Sequence, residues 1–441
     1  MSRNGQLPLW GLCAALLMLL ALSTAGFAQA VDPPSSITEP PPPSDDDFKT
    51  KIQSPHREAL KSNQPDRVAK QLIADSVHYQ VYLLVTLPGE RGRNMKKLTD
   101  DLRNRSTSEA ARLYALEQCV FRASQLLDHA DGGVKVAGAV LLNQLNVSWN
   151  PDVPFVGSKD ALLKALAVDD KHLDVKVWAA DGLARILRLA TGRDLPVLER
   201  VAIANALAQE VTRLRSVRDA ANGPDPVGYQ WCMWSMVQAL GHCDRVYNST
   251  RDPIFADTLL AVLTDPKEDF YSRALAAESL GRLPYEATTN LDLLNYETVW
   301  LTYDLATAYN AELKDANLQP EQRWPLWRRC AFHLYFAYEG RSKADQTRNF
   351  GLSYQAARPG LSAFGAAIKL AFDAQLPIIN GFTGNPQKPP LVSQEKLNAL
   401  SVWLADHTPK SRKLTPESKF EAPTHKGTAT PEAADGGPPA E

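Results

Sequence analysis

Five cysteines in 441 residues are too few to staple a fold, and one of them, Cys13, falls inside an N-terminal apolar stretch. The other four, Cys119, Cys232, Cys243 and Cys330, are widely spaced, which argues against a disulfide scaffold. Charge of one sign is also missing: the net charge is −2, so bulk electrostatics offer nothing to nucleic acid. The chain has no H-E-x-x-H zinc helix, no G-x-x-x-x-G-K-[ST] phosphate loop and no C-x-x-C-H haem attachment. "GLSAFG", from Gly360, misses the spacing of a nucleophile elbow and lacks a preceding strand. The eight histidines include no i, i+4 pair, so no helical metal face is expected. No catalytic residue, cofactor or metal is assigned on these grounds, and a non-enzymatic role is favoured.

What is present begins with a targeting signal. Arg3 precedes an apolar run, Leu12 to Leu22, and Ala28-Gln29-Ala30 supplies a small-x-small cleavage site. Residues 1–30 therefore read as a secretory signal peptide, with the mature chain starting at Val31 in the periplasm, cell envelope or medium. A membrane contact is expected only if this segment is kept as an anchor; Ser23, Thr24 and Gly26 make it marginal for the ~20 apolar residues of a span. Residues 31–50, "VDPPSSITEPPPPSDDDFKT", carry proline and acid and read as a disordered spacer. Residues 408–441 lack apolar periodicity and read as a disordered tail.

Between these ends the apolar pattern is helical. In "DVKVWAADGLARIL", from Asp174, a 100° wheel puts Leu173, Val177, Ala180, Ala184 and Leu187 on one stripe. Val175, Ala179, Leu183, Ile186 and Ala190 form a second stripe, roughly 120° away on the wheel. Asp174, Trp178, Asp181, Arg185 and Arg188 are left on the remaining arc. A surface helix needs one apolar stripe; two stripes mean that neighbours grip the helix from two sides.

Such a helix calls for copies of itself. "VKVAGAVLL" starts at Val134, "VKVWAADGL" at Val175, "CMWSMVQAL" at Cys232 and "SRALAAESL" at Ser272. The interval is about 40 residues, one helical hairpin with its turns, apart from a longer gap. The extra residues fall at "SVRDAANGPDPVG", Ser216 to Gly228, which reads as an inserted loop. First helices fit between the second ones: after Thr107, after Ser158 as an N-cap, after Pro196 and after Asp252-Pro253.

The pattern V-K/R-x-x-A-A-x-x-L, with Asp174 or Asp269 just before it, resembles the second helix of HEAT repeats. Val175, Lys176, Ala179, Ala180 and Leu183 match it, as do Arg273, Ala276, Ala277, Leu280 and Gly281. The copy at Val134 departs from it at Gly138, and the copy at Cys232 keeps only the final Ala239-Leu240. The resemblance implies an all-α, armadillo-like α-solenoid over residues 107–285, typically a protein-binding scaffold. Residues 51–106 then form a helical lead-in, and residues 286–407 a C-terminal helical cap. Ser76 to Pro88 is ambiguous between strand and helix, and its position favours helix.

Two surfaces are candidates for function. In repeat register, Arg185 corresponds to Gln144, His242 and Arg282, and Arg188 to Arg245. With Trp178 and Asp181 these would line up as a polar ladder for a protein partner, though cations near helix C-termini also complement the helix dipole. The second candidate is aromatic. Tyr296, Trp300 and Tyr303 share one helix face, and Trp324 and Trp327 lie on the next helix. A platform around Trp300 and Trp324 could stack on sugars, which gives the alternative reading of a carbohydrate-binding or carbohydrate-active α/α-type protein. A stripe at this spacing is more often core. A glycosidase would also need a second carboxylate beside Asp304. Cys232 and Cys243 fall on core-stripe positions, where cysteine acts as a small hydrophobe.

Overall fold

A computed structural model describes residues 42–220, 223–314, 320–341, 351–355, 362–381 and 390–425. Residues 1–30, read as a signal peptide, residues 31–41 of the segment read as a spacer, and residues 426–441 lie outside the described residues. Among the described residues the chain is mostly helical, and no helix is long and apolar enough to cross a membrane.

The helices are α1 (Gln53–Ala59), α2 (Arg67–Thr86), α3 (Arg91–Arg103), α4 (Glu109–Leu126) and α5 (Gly132–Gln144). A short antiparallel hairpin follows, β1 (Asn146–Trp149) and β2 (Asp152–Pro154), with Trp149 opposite Asp152. Then come α6 (Lys159–Leu166), α7 (Leu173–Leu189), α8 (Val197–Val217), α9 (Pro226–Leu240), α10 (Ile254–Thr264) and α11 (Phe270–Gly281). The chain ends with α12 (Leu291–Lys314), α13 (Pro320–Glu339), α14 (Ser362–Asn380) and α15 (Gln394–Asp406).

Local chemistry sets many of the starts. Asp66, Ser108, Asp131, Asp225 and Asp269 accept first-turn amide protons of α2, α4, α5, α9 and α11. Ser158 does not cap α6 as expected; its hydroxyl donates back to the Phe155 carbonyl at 2.8 Å. The ambiguous stretch from Ser76 is helical as far as Thr86, because Val77, Val81 and Leu84 bury on one face of α2.

Packing follows two series. α4, α6, α8, α10 and α12 each touch the next member, and so do α5, α7, α9, α11 and α13. Within each hairpin the pair α4/α5, α6/α7, α8/α9, α10/α11 or α12/α13 is also in contact. The series thus run on through α12 and α13, beyond the stretch where the sequence pattern is legible. α14 packs on α12 and α13, and α15 on α12 and α14. The apolar core is continuous from Ala59 to Ala422.

α7 tests the wheel directly. All ten stripe residues are buried except Val177, which is half-buried, while Asp174, Asp181 and Arg188 are exposed. The neighbours that grip it are α5, α6 and α9. Gly281, at the end of α11, allows a close approach to α13: a Cβ there would lie 2.3 Å from the Ala337 carbonyl oxygen.

Both termini correct the reading of disorder. The spacer is ordered from Pro42, with helical turns at Asp45–Asp47 and Phe48–Ile52, and Phe48 stacks on Tyr79 with ring centroids 3.9 Å apart. The tail is packed from Thr408 to His425: Leu414 and Ala422 are buried, with Thr415 and Ser418 between them. Composition suggested disorder because few apolar residues are present. Polar partners elsewhere on the body supply what a hydrophobic pattern does not.

Candidate functional site

Of the proposed ladder, Asp181, Arg185, Arg188, His242 and Arg282 lie in one electrostatic neighbourhood, and several of them serve the fold. Arg185, half-buried on α7, donates to the Asn143 carbonyl, to Asn146 Oδ1 at 2.7 Å and to Asp152 Oδ1 at 3.1 Å. It therefore ties α7 to the end of α5 and to the β-hairpin, and is not an idle surface cation. Asp181 is exposed and accepts from Asn143 Nδ2 at 2.8 Å. His242, expected on the surface, is buried; burial first, then Arg282 and Arg188, push its pKa down to about 3. Those charges place residues from three successive hairpins in one electrostatic neighbourhood. Arg188 and Gln144 are exposed, and Trp178, Arg245 and Arg282 are half-buried.

Beside Arg282 lies a buried cluster that repeat alignment did not reveal. Glu278, on α11, takes His333 Nδ1 at 2.6 Å and an Arg341 guanidinium nitrogen at 2.9 Å, and Arg282 stands 3.8 Å away. Burial works against ionisation of Glu278, but the His333 hydrogen bond and the Arg341 charge outweigh it and hold the carboxyl well below its usual range. An aromatic run leads away from this cluster: Trp231–Trp234, Trp234–Tyr271 and Tyr271–His333 have centroids 4.9, 4.7 and 4.8 Å apart. The run crosses α9, α11 and α13. An acid inside the apolar "AAESL" was the one sequence signal for it; its partners come from α13 and beyond, outside the recognisable repeats.

The aromatic platform does not form as one surface. Tyr296 is buried, while Trp300 and Tyr303 are half-buried along α12, with centroids 6.2 and 6.3 Å apart in sequence order. Trp327 is buried against Phe270 and Tyr309. Trp324 donates to the Ile378 carbonyl of α14 at 3.1 Å. Among the described residues no ring contact joins Trp300 to Trp324. The Trp300 face is covered instead by His425 of the tail, stacked at 4.1 Å and 16°.

The nearby carboxylates are occupied by cations. Asp304 pairs with Arg273 at 3.2 Å, and burial pushes its pKa up. Glu297, whose side chain is 1% exposed, accepts from Arg412 at 2.9 Å and meets His425 Nε2 at 2.6 Å. Both partners belong to the tail segment that was read as disordered.

Cys119, Cys232, Cys243 and Cys330 are free thiols, all buried. Burial pushes the first three up to about 12 and Cys330 higher still, so they are poor nucleophiles. Among the described residues no group of three or more His, Cys, Asp or Glu side chains is arranged to hold a metal. A cleft of ≈ 240 Å³, lined by Arg57, Lys61, Asp101 and Asn104 among others, lies between α1 and the end of α3. No family model, curated protein or solved structure matches this chain.

Proposed function

We propose that this chain is an exported, non-catalytic α-solenoid of HEAT-like hairpins that binds a protein partner through the face carried by its second helices. The observation behind this reading is the pair of helix series, in which each first helix touches the next first helix and each second helix the next second helix. A stack of hairpins built in this way presents one long continuous surface, which suits an extended protein partner better than a small molecule. Exposed Arg188 and half-buried Trp178, Arg245 and Arg282 supply aromatic and cationic anchors of the kind that dominate interfaces. Arg185 and His242 support that surface from beneath.

The carbohydrate reading has less behind it, because Trp300 is covered and Trp327 is core. Export rests on residues 1–30, with cleavage after Ala30.

Affinity capture with the full chain, expressed with its own leader in an envelope-bearing host, tests both halves. The mature protein should begin near Val31. Partner capture should fall at least ten-fold in an Arg188→Glu/Arg245→Glu variant whose helical circular dichroism is unchanged. Undiminished capture by that variant would move the partner to another face.

A further inference from the structure

The packed tail makes a strap whose chemistry differs from that of the core. Residues 408–425 carry Lys410, Arg412, Lys413, Lys419 and His425 against two acids, Glu417 and Glu421. The surface beneath offers acids: Asp252 before α10, Asp257 on α10 and Glu297 on α12. Lys419 pairs with Asp252. Asp257 Oδ2 accepts the main-chain amides of Lys419 and Phe420 at 2.9 and 3.3 Å. Glu297 takes Arg412 and His425.

The rest of the grip is on main chain. The Asn290 amide donates to the Leu414 carbonyl at 2.7 Å, and its side chain reaches the Ser411 and Lys413 carbonyls at 3.1 and 3.2 Å. Leu414 is the buried apolar anchor. The strap also closes on itself: the Ala422 amide donates to the Arg412 carbonyl at 2.9 Å, and Arg412 Nε returns to the Ala422 carbonyl at 3.0 Å. It is a compact loop held by its rim, following the end of α15.

A permanent cover would be cheaper if it were apolar. Burying a carboxylate and leaving its charge to distant cations is poor for stability and good for discrimination. Glu297 on the body is a buried acid whose partners Arg412 and His425 both come from the strap, and it lies beside the Trp300 face that the His425 ring covers. Tyr296, with the Arg412 guanidinium 6.0 Å over its ring, adds a second aromatic wall.

We propose that Asp252, Asp257, Asn290, Glu297 and Trp300 form an acid-lined recognition slot for a basic polypeptide segment, and that residues 411–425 are a self-ligand which a partner's basic segment displaces. This slot lies on the first-helix series and does not depend on any partner of the second-helix face.

The test uses the full chain and a fluorescent synthetic peptide of residues 408–425. Arg412→Ala/His425→Ala loosens the strap while leaving the slot intact. This variant should bind the peptide at least ten-fold more tightly than the wild type, and adding Glu297→Gln should abolish the gain. No binding by the loosened, fully helical variant, or binding that survives Glu297→Gln, would overturn the proposal. Amide exchange on the wild-type chain reads the same point without substitution. Strap amides, such as those of Lys419, Phe420 and Ala422, should exchange at least a hundred-fold faster than the amides of α12; exchange at equal rates would make the strap a fixed part of the core.

Discussion

Lys176 Nζ sits 2.7 Å from Glu210 Oε1, and it joins two hairpins: the lysine is on α7 and the carboxylate on α8. The lysine side chain is 1% exposed and also donates to the Leu166 carbonyl at the end of α6. Arg273 repeats the arrangement at the same register position two hairpins further on, on α11. It donates to the Leu263 carbonyl of α10 and to Asp304 of α12. At Lys176 and Arg273 the K/R of the pattern is therefore an internal fastener: it caps its own hairpin's first helix and clasps the next hairpin. At α9 the same position holds Met233, buried among apolar neighbours, so that junction relies on packing.

Removing the fastener should be costly. Lys176→Ala leaves the Leu166 carbonyl and part of Glu210 unpaired, although Arg213 still holds that carboxylate. We expect a loss of about 1–3 kcal/mol, read by urea denaturation. Lys176→Met keeps the buried stem and should lose less. A Lys176→Met variant as stable as the wild type would mean that the contact contributes only volume.

The register on α7 predicts an order of effects. Leu183→Ala should cost about 2–5 kcal/mol through lost burial and a residual cavity. Ala180→Leu should cost about 1–3 kcal/mol by overpacking. Arg185→Ala, which position on the wheel alone would make nearly neutral, should instead cost about 1–3 kcal/mol, because Asn146 and Asp152 lose a charged donor. Thermal unfolding of the three variants checks the order; a neutral Arg185→Ala would remove its role at the β-hairpin.

Gly281→Ala should destabilise far more than Gly192→Ala. A methyl group at 281 meets the Ala337 carbonyl at 2.3 Å, whereas nothing lies within 4 Å of one at 192. Overpacking against backbone costs about 1–3 kcal/mol or more. Equal midpoints for the two variants would disprove the close crossing of α11 and α13.

Acid should destabilise the fold from an unusually high pH. His242 and His56 are buried, and their pKa values fall from 6.5 to about 3 and about 4. Burial is the main cause in both, with Arg282 and Arg188 acting on His242 and Arg57 on His56. Their contribution is fully present above pH 6.5. Below it the unfolded chain binds protons that the folded chain refuses, so stability falls until the folded values are reached. Each group costs about 1.4 kcal/mol per pH unit in that window. Urea titrations between pH 7 and 4 should show this slope, and His242→Gln should reduce it. A flat profile would show that these histidines titrate normally.

The strap should matter to stability as well as to recognition. Leu414→Ala should cost about 2–5 kcal/mol if the loop unfolds together with the body. If the strap opens separately, the variant should leave the main transition unmoved while strap amides exchange faster. Removal of residues 408–441 should likewise leave the thermal midpoint nearly unmoved if the strap opens separately, and lower it by several degrees if the burial of Leu414 and Ala422 is part of the cooperative core.

The sequence by itself determined the helices, because burial at a 3.6-residue period is local information. It also determined which face of α7 is covered, since two apolar stripes allow one orientation between neighbours. The recurrence of a similar pattern in "VKVWAADGL" and "SRALAAESL" is likewise a property of the sequence. Tertiary structure alone decided the fate of the charges. Lys176 is only a match to the repeat pattern until Glu210 and the end of α6 are beside it. His242 reads as a ladder cation until α11 covers it. The strap reads as disordered because its anchors, Asn290, Glu297 and Asp257, lie more than a hundred residues away. A polar side chain can be buried only when its partner is in place, and no local pattern records where that partner will be.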